Sequence, residues 1–204
     1  LQLEDFGLQA AAFASPPKWH LAHTTWFFET FLLKPMLDGY QCFHPQFEHL
    51  FNSYYQAVGT QFTRANRGLL SRPSVDQVYD YRQYVNAAMH KLLSQYEHRE
   101  RDTIVARAHL GIQHEKQHQE LLLTDIKYSL YANPLYPAYE ASQAPHATEP
   151  LAPQVWRHYS GAIVDVGLSA SGEGFCFDNE APPHQVLLQD FALSNRLVTN
   201  GEYQ

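Results

Sequence analysis

From Ser15 to Leu33 the apolar residues recur at helical spacing. Trp19, Ala22, His23, Trp26, Phe27, Thr30 and Leu33 form one stripe, with Lys18, Thr25 and Glu29 on the other side. Ser15 is placed to cap this helix, and Pro16 to occupy its first turn, where a missing N–H costs nothing. A second helix is expected from Pro45 to Val58, turning Phe47, Leu50, Phe51, Tyr54 and Tyr55 inward. The stretch "GTQFTRANRGLLSRP" then reads as a loop carrying Arg64, Arg67 and Arg72. Ser74 opens a third helix, with Gln77 three residues on as its capping-box partner. The stripe of this helix is Val75, Val78, Tyr79, Val85, Met89, Leu92 and Tyr96. A fourth runs from about Asp102 to Tyr131. Four long amphipathic segments with no strand pattern between them predict a mainly α chain, built on a helical bundle over residues 1–132.

The pattern changes after residue 132. Pro134, Pro137, Pro145, Pro150 and Pro153, set among Ala, Ser and Tyr, mark an extended linker over 133–157. Beyond it "GAIVDVGL", "GFCFDNE" and "HQVLLQDFALS" are short, β-branched or aromatic, and separated by Gly, Asn or Pro, as strands are. Thr199 or Asn200 is a helix cap. Residues 158–204 are too few to close a β-rich domain. With a start at Leu1 and an end inside "TNGEYQ", the chain reads as a fragment whose second domain is cut off.

Composition narrows the function classes. The 204 residues are 45% hydrophobic and 17% charged, enough apolar surface to bury a core. A net charge of −7 with no basic run argues against a nucleic-acid partner. No apolar run reaches membrane-spanning length and no secretion signal opens the chain, so a cytoplasmic protein is expected. Cys42 and Cys176 suggest neither a disulfide framework nor a zinc knuckle.

Histidine, at 12 copies, is the compositional oddity. In "GIQHEKQHQELLL", His114 and His118 stand one turn apart and share a line with Gly111, Leu121 and Asp125. Such a pair is either hydrogen-bonded core or a half-built metal site. His23 lies within the stripe of the first helix, whereas His20 is rotated to its flank, so helical geometry selects His23 as third ligand. Three neutral nitrogens with no thiolate suit Zn, Fe or Ni and leave coordination positions open. The pattern His114-Glu115-x-x-His118 also matches zinc proteases, with Glu115 as general base. The usual continuation is missing, because "QELLLTDIKY" holds no Gly-x-x-His, and the nearby downstream Glu140 falls in the proline linker.

Longer stretches carry a resemblance. "SPPKWHLAHTTWFFETFLL", "FNSYYQAVG", "RGLLSRPSVDQVYDYR" and "HEKQHQELLLTDIKY" resemble the N-terminal DinB-like domain, a four-helix bundle, of ergothioneine-biosynthesis sulfoxide synthases. "FDNEAPPHQVLLQDFALSNRLVTNGEY" is similar to the start of the α+β formylglycine-generating-enzyme-like (sulfatase-modifying-factor) domain that follows it in that family.

The resemblance implies an Fe(II), O2-dependent oxidoreductase joining a thiol, cysteine or γ-glutamylcysteine, to C2 of the imidazole of hercynine. It implies His23, His114 and His118 as iron ligands, Gln117 orienting the histidine-derived substrate, and Arg64, or else Arg67, binding the thiol's carboxylate. Glu115 and Asp125 are expected to hold imidazole N–H groups, and Glu120 faces elsewhere. The family's proton- or electron-donating tyrosine belongs to the C-terminal domain, and Tyr139, Tyr159 and Tyr203 match no motif for it. A selenoneine-type synthase and a 5-histidylcysteine sulfoxide synthase share the pattern. A DinB-like thiol transferase or a structural metal bundle is the alternative of another class. Oligomeric state is not legible.

Overall fold

Two consecutive prolines set where the first helix begins. Pro16 is extended (φ −63°, ψ 148°) and Pro17 is the first helical residue, one position later than expected. A residue that precedes proline is driven out of the α region, so Pro16 cannot join the helix. Ser15 does not cap it either. Its N–H donates to Asp125 Oδ2 at 2.8 Å, and its hydroxyl accepts from Arg67 at 2.9 Å. These positions come from a computed structural model, which describes residues 1–53, 57–95, 100–141, 151–169 and 174–204.

The chain forms two units, Leu1–Ser142 and Gln143–Gln204, dividing within the expected linker. In the first, α1 (Pro17–Phe28) continues through a π-helical turn (Glu29–Leu33) into α2 (Lys34–Met36). Against it pack α4 (Val75–Gln95) and α5 (Arg101–Tyr131), with the short α3 (Phe47–Phe51) closing one side. Lys18, Thr25 and Glu29, expected on a polar face, are all buried. Neighbours surround α1 on nearly every side, so its polar groups are satisfied internally. Lys18 Nζ donates to Pro73 O at 3.2 Å and Thr25 Oγ1 to Leu21 O at 2.7 Å. The Glu29 carboxylate accepts from the hydroxyls of Tyr40 (2.7 Å) and Tyr81 (2.6 Å) and from the Phe43 N–H (3.0 Å). Burial, reinforced by that carboxylate, pushes both phenols far above their usual range, which keeps them as donors.

The expected second helix is reduced to five residues. Asn52 turns extended (φ −65°, ψ 140°), and its side-chain amide donates to Gly59 O at 3.0 Å. Among the described residues the unit therefore has three long helices, α1, α4 and α5, rather than four. Tyr54, Tyr55, Tyr96, Pro145 and Pro150 lie outside the described residues. The Ser74–Gln77 capping box is present, with Ser74 N to Gln77 Oε1 at 2.9 Å and Gln77 N to Ser74 Oγ at 3.2 Å. On α4 the buried positions are Val78, Tyr81, Val85 and Leu92, so Tyr81 replaces Tyr79, which is exposed and meets Phe6 edge-on. On α5 Leu121 is exposed, and Ile104, Gly111, Ile126, Ser129 and Leu130 are buried. No described helix is long and apolar enough to cross a membrane.

The second unit holds two antiparallel ribbons. In one, β1 (Trp156–Tyr159) pairs with β4 (Phe191–Ser194); in the other, β2 (Ile163–Val166) pairs with β3 (His184–Leu187). Thus "HQVLLQDFALS" makes two strands, and β1 begins just inside the expected linker. "GFCFDNE" forms none: the Phe177 N–H is taken by the Glu180 carboxylate at 2.7 Å, and Asp178–Glu180 is one 3-10 turn. Thr199 caps α6 (Asn200–Tyr203) through a capping box with Glu202. Among the described residues of 151–204 none is buried, so backbone ladders rather than a core hold these strands.

α1 packs closely on α5 at Gly111. A Cβ there would lie 2.6 Å from Phe28 Cε1 and 3.2 Å from Phe27 Cε1. Gly111→Ala gains helix propensity of about 1 kcal/mol but forces two rings apart. The expected net loss is about 1–2 kcal/mol, read from the urea midpoint; a stabilised variant would refute the close packing.

Candidate metal centre

His23 comes from α1 and His114 and His118 from α5, and their ligand atoms lie within 4.8 Å of one another. The trio joins the two helices that the core already presses together. His23 is buried and stacked between two indoles: Trp19 at 4.6 Å and 12°, Trp26 at 5.4 Å and 17°. All three belong to α1, so helical spacing alone builds the stack. Phe27 packs on the ring of His114 at 4.6 Å, and the Arg67 guanidinium covers Trp19 at 3.3 Å.

Hydrogen bonds orient the rings. His23 Nδ1 is 2.5 Å from Phe51 O, and a carbonyl only accepts, so Nδ1 carries the hydrogen and Nε2 the lone pair. Phe51 is the last residue of α3, where backbone carbonyls lack helical partners. The bare Nε2 of His23 lies 3.2 Å from His114 Nε2. For metal–nitrogen bonds of about 2.1 Å, neighbouring ligands stand about 3.0 Å apart at right angles and about 3.4 Å apart in a tetrahedron. The separation falls between the two. His118 Nδ1 meets His20 Nδ1 at 2.9 Å, and His20 Nε2 meets Asp125 Oδ2 at 3.1 Å. His114 Nδ1 is buried with no hydrogen-bond partner among the described residues.

Electrostatics keeps the trio in its ligating form. Burial, then the neighbouring His118 and His114, holds His23 well below the usual histidine range. Burial lowers His114 to about 4. His118 falls to about 3 through burial, then His114, His20 and the charges of Arg67 and Arg64. Three neutral rings with clustered ligand nitrogens fit a divalent cation, and an all-nitrogen set fits a first-row transition metal.

Other candidate residues divide. Asp125 holds an imidazole, but that of His20 rather than a trio member. Glu115 holds none: its carboxylate pairs with Arg82, which also donates to Thr24 Oγ1 at 3.2 Å. A guanidinium from α4 reaches this side of α5 and outcompetes a neutral ring for the carboxylate. Gln117 is exposed, one position before His118, and Glu120 is exposed on α5. Arg64 is half-buried on the 3-10 turn Arg64–Leu69, inside the expected loop, and its charge acts on His118. Arg67 is buried and committed to the hydroxyls of Ser15 and Ser53 at 2.9 and 3.2 Å. A cavity of about 30 Å³ reaches His118 and His20, bounded by Leu21, Thr24, Glu115, Gln119 and Leu122.

Sequence reasoning missed His20, the Phe51 carbonyl and the indole sandwich. The signal for the last was present, because residues 19, 23 and 26 share one face. No protein-family model matches the chain, and no curated protein matches it.

Two outcomes follow from this geometry. In the unfolded chain these histidines protonate near pH 6.5, whereas the folded values lie near 4 and 3 for His114 and His118. Between those limits the unfolded state binds more protons, so stability of the metal-free protein falls as pH drops from about 6.5 toward 4. The slope approaches about 1.4 kcal/mol per pH unit for each buried ring. Urea unfolding of wild type and of His114→Ala measures it, and the variant is expected to show a shallower slope. Separately, His118→Ala is expected to abolish one-to-one Co2+ binding in elemental analysis while helical content persists; unchanged stoichiometry would make the ring mere core.

Proposed function

We propose that this chain carries the metal centre of a non-haem iron(II), O2-dependent sulfoxide synthase of the ergothioneine type. The observation that carries the reading is the convergence of His23, His114 and His118 from two helices, at the positions that the "HLAH" and "HEKQH" motifs imply. On this reading the first unit is the DinB-like domain and the second the opening of a formylglycine-generating-enzyme-like domain.

The overall reaction balances with few parts. The thiol loses its S–H hydrogen and hercynine its C2–H; a C–S bond forms. One atom of O2 ends on sulfur as the sulfoxide and the other leaves as water. Iron(II), when bound, supplies the one-electron chemistry that lets O2 react. His23, His114 and His118 would hold it while contributing no charge, which would favour an anionic thiolate as a further ligand. Among the described side chains, the nearby carboxylates of Glu115 and Asp125 are engaged by Arg82 and by His20 with the Ser15 N–H. The positive field that Arg64 and Arg67 lay over His118 favours an anionic substrate in the same place. We assign Arg64, whose charge acts on His118, to the thiol substrate's carboxylate, and exposed Gln117 to the hercynine imidazole. Holding both substrates at one centre supplies much of the rate.

A second reading, a DinB-like metal-dependent thiol transferase or a structural metal bundle, has one observation in its favour: the trio lies wholly within Leu1–Ser142. The two readings separate experimentally. The full protein is loaded anaerobically with Fe(II) and given hercynine, O2 and either cysteine or γ-glutamylcysteine. Mass spectrometry is expected to show the C–S-linked sulfoxide. Tightly held metal with no such product from either thiol would leave the second reading. Arg64→Ala is expected to raise the KM for the thiol about tenfold with little change for hercynine.

A further inference from the structure

His20 stands apart from the trio, yet it is buried and touches it. We propose that Asp125 and His20 form a positioning relay that sets the tautomer of His118 and so turns its Nε2 lone pair toward the metal. The inference rests on the metal-site reading, but on neither iron nor the sulfur chemistry.

The direction of the relay is forced at its carboxylate end. Asp125 Oδ2 accepts, so His20 Nε2, at 3.1 Å, donates. A neutral imidazole that donates through one nitrogen accepts through the other. His20 Nδ1 therefore takes the hydrogen of His118 Nδ1 at 2.9 Å, and His118 is left with its lone pair on Nε2. The chain of bonds crosses from α5 to α1 and back to α5. Asp125 stands seven residues, about two turns, beyond His118 on one line of α5. Its Oδ2 is pinned from the other side by the Ser15 N–H at 2.8 Å, just ahead of the proline pair that starts α1. A shift of either helix would break one of the three bonds.

The three ligands are thus oriented by different means. A backbone carbonyl holds His23, and the relay holds His118. The remote nitrogen of His114 has no hydrogen-bond partner among the described residues, and packing against Phe27 holds its ring. A ligand whose remote nitrogen is left unpaired samples both tautomers and loses metal affinity, typically by a factor of about 10–100.

Two readouts test the relay in the full protein, neither of them catalytic. The variants are His20→Asn, whose side-chain oxygen replaces the Nδ1 acceptor, and His20→Leu, which removes it. Long-range proton–nitrogen NMR of the metal-free, 15N-histidine-labelled protein reads the tautomer of His118. Competition with a chelator reads Co2+ affinity, and circular dichroism checks the fold. The expected wild-type spectrum shows hydrogen on Nδ1 of His118. His20→Asn keeps that tautomer and binds Co2+ within about threefold of wild type, while His20→Leu mixes the tautomers and weakens Co2+ by about 10–100-fold. Hydrogen on Nε2 in wild type would overturn the relay, as would unchanged Co2+ affinity in a folded Leu variant, or Asn binding as poorly as Leu. Wild type that binds no Co2+ would instead defeat the metal-site reading, and the wild-type tautomer would still decide the relay.

Discussion

Three imidazoles, one buried and two half-buried, meet in this helical unit with ring nitrogens close to one another. Two lone pairs facing each other away from water repel, and nothing apolar relieves them. The bare Nε2 of His23 lies only 3.2 Å from His114 Nε2, so a proton or a cation must come between them. Much of the surrounding architecture serves to hold the rings in that arrangement. The Phe51 carbonyl, the two indoles around His23 and the Asp125–His20 pair each remove a freedom that the rings would otherwise use to turn away. A core histidine that merely fills space needs one hydrogen-bond partner and no neighbours of its own kind.

This demand explains why α1 is buried on almost every side. To offer His23 to α5 and also lend His20 to the relay, it must present two directions inward at once. Its remaining polar residues are then carried inside as well. Glu29, at the start of the π turn, is stabilised by two phenols and a backbone N–H drawn from the segments that follow and from α4. That cluster ties the far end of α1 to its neighbours, while the proline pair and Ser15 tie the near end. The histidines sit between two fixed points.

Periodicity placed the bounds of α5 nearly to the residue, although Leu121, on the expected inward line, is exposed. The pair on it, one turn apart, was legible from the same spacing, and so was His23. The same logic misjudged α1. A wheel that sorts residues into inside and outside fails for a helix with neighbours all round, so Lys18, Thr25 and Glu29 went to the wrong side and His20 was passed over. The end of α3 was hidden for another reason. Phe47, Leu50 and Phe51 continue a helical pattern, but Asn52 spends its amide on Gly59 and Phe51 its carbonyl on His23, and both are tertiary choices. Glu115 was likewise redirected by Arg82, thirty-three positions earlier in the chain. In the second unit, β-branched and aromatic runs marked β2, β3 and β4 but not β1, which straddles the end of the expected linker, and they could not show that Glu180 would claim the Phe177 N–H and leave "GFCFDNE" unpaired.

Charge has the last word on chemistry. A divalent cation held by three neutral rings would keep its two positive charges in a setting where arginines already raise the local potential. Glu115 is neutralised by Arg82, and Asp125 reaches the trio only through His20. In a protease built on His-Glu-x-x-His the glutamate must be available to take a proton from water, which a guanidinium salt bridge opposes. In a closed structural zinc site, a fourth protein ligand, commonly a thiolate, completes the sphere. Cys42, in the same unit, is exposed and does not join the trio. A divalent cation held by the three rings would have its charge balanced from outside by an anionic ligand. A thiolate is such a ligand, and sulfur is the atom on which the proposed reaction turns.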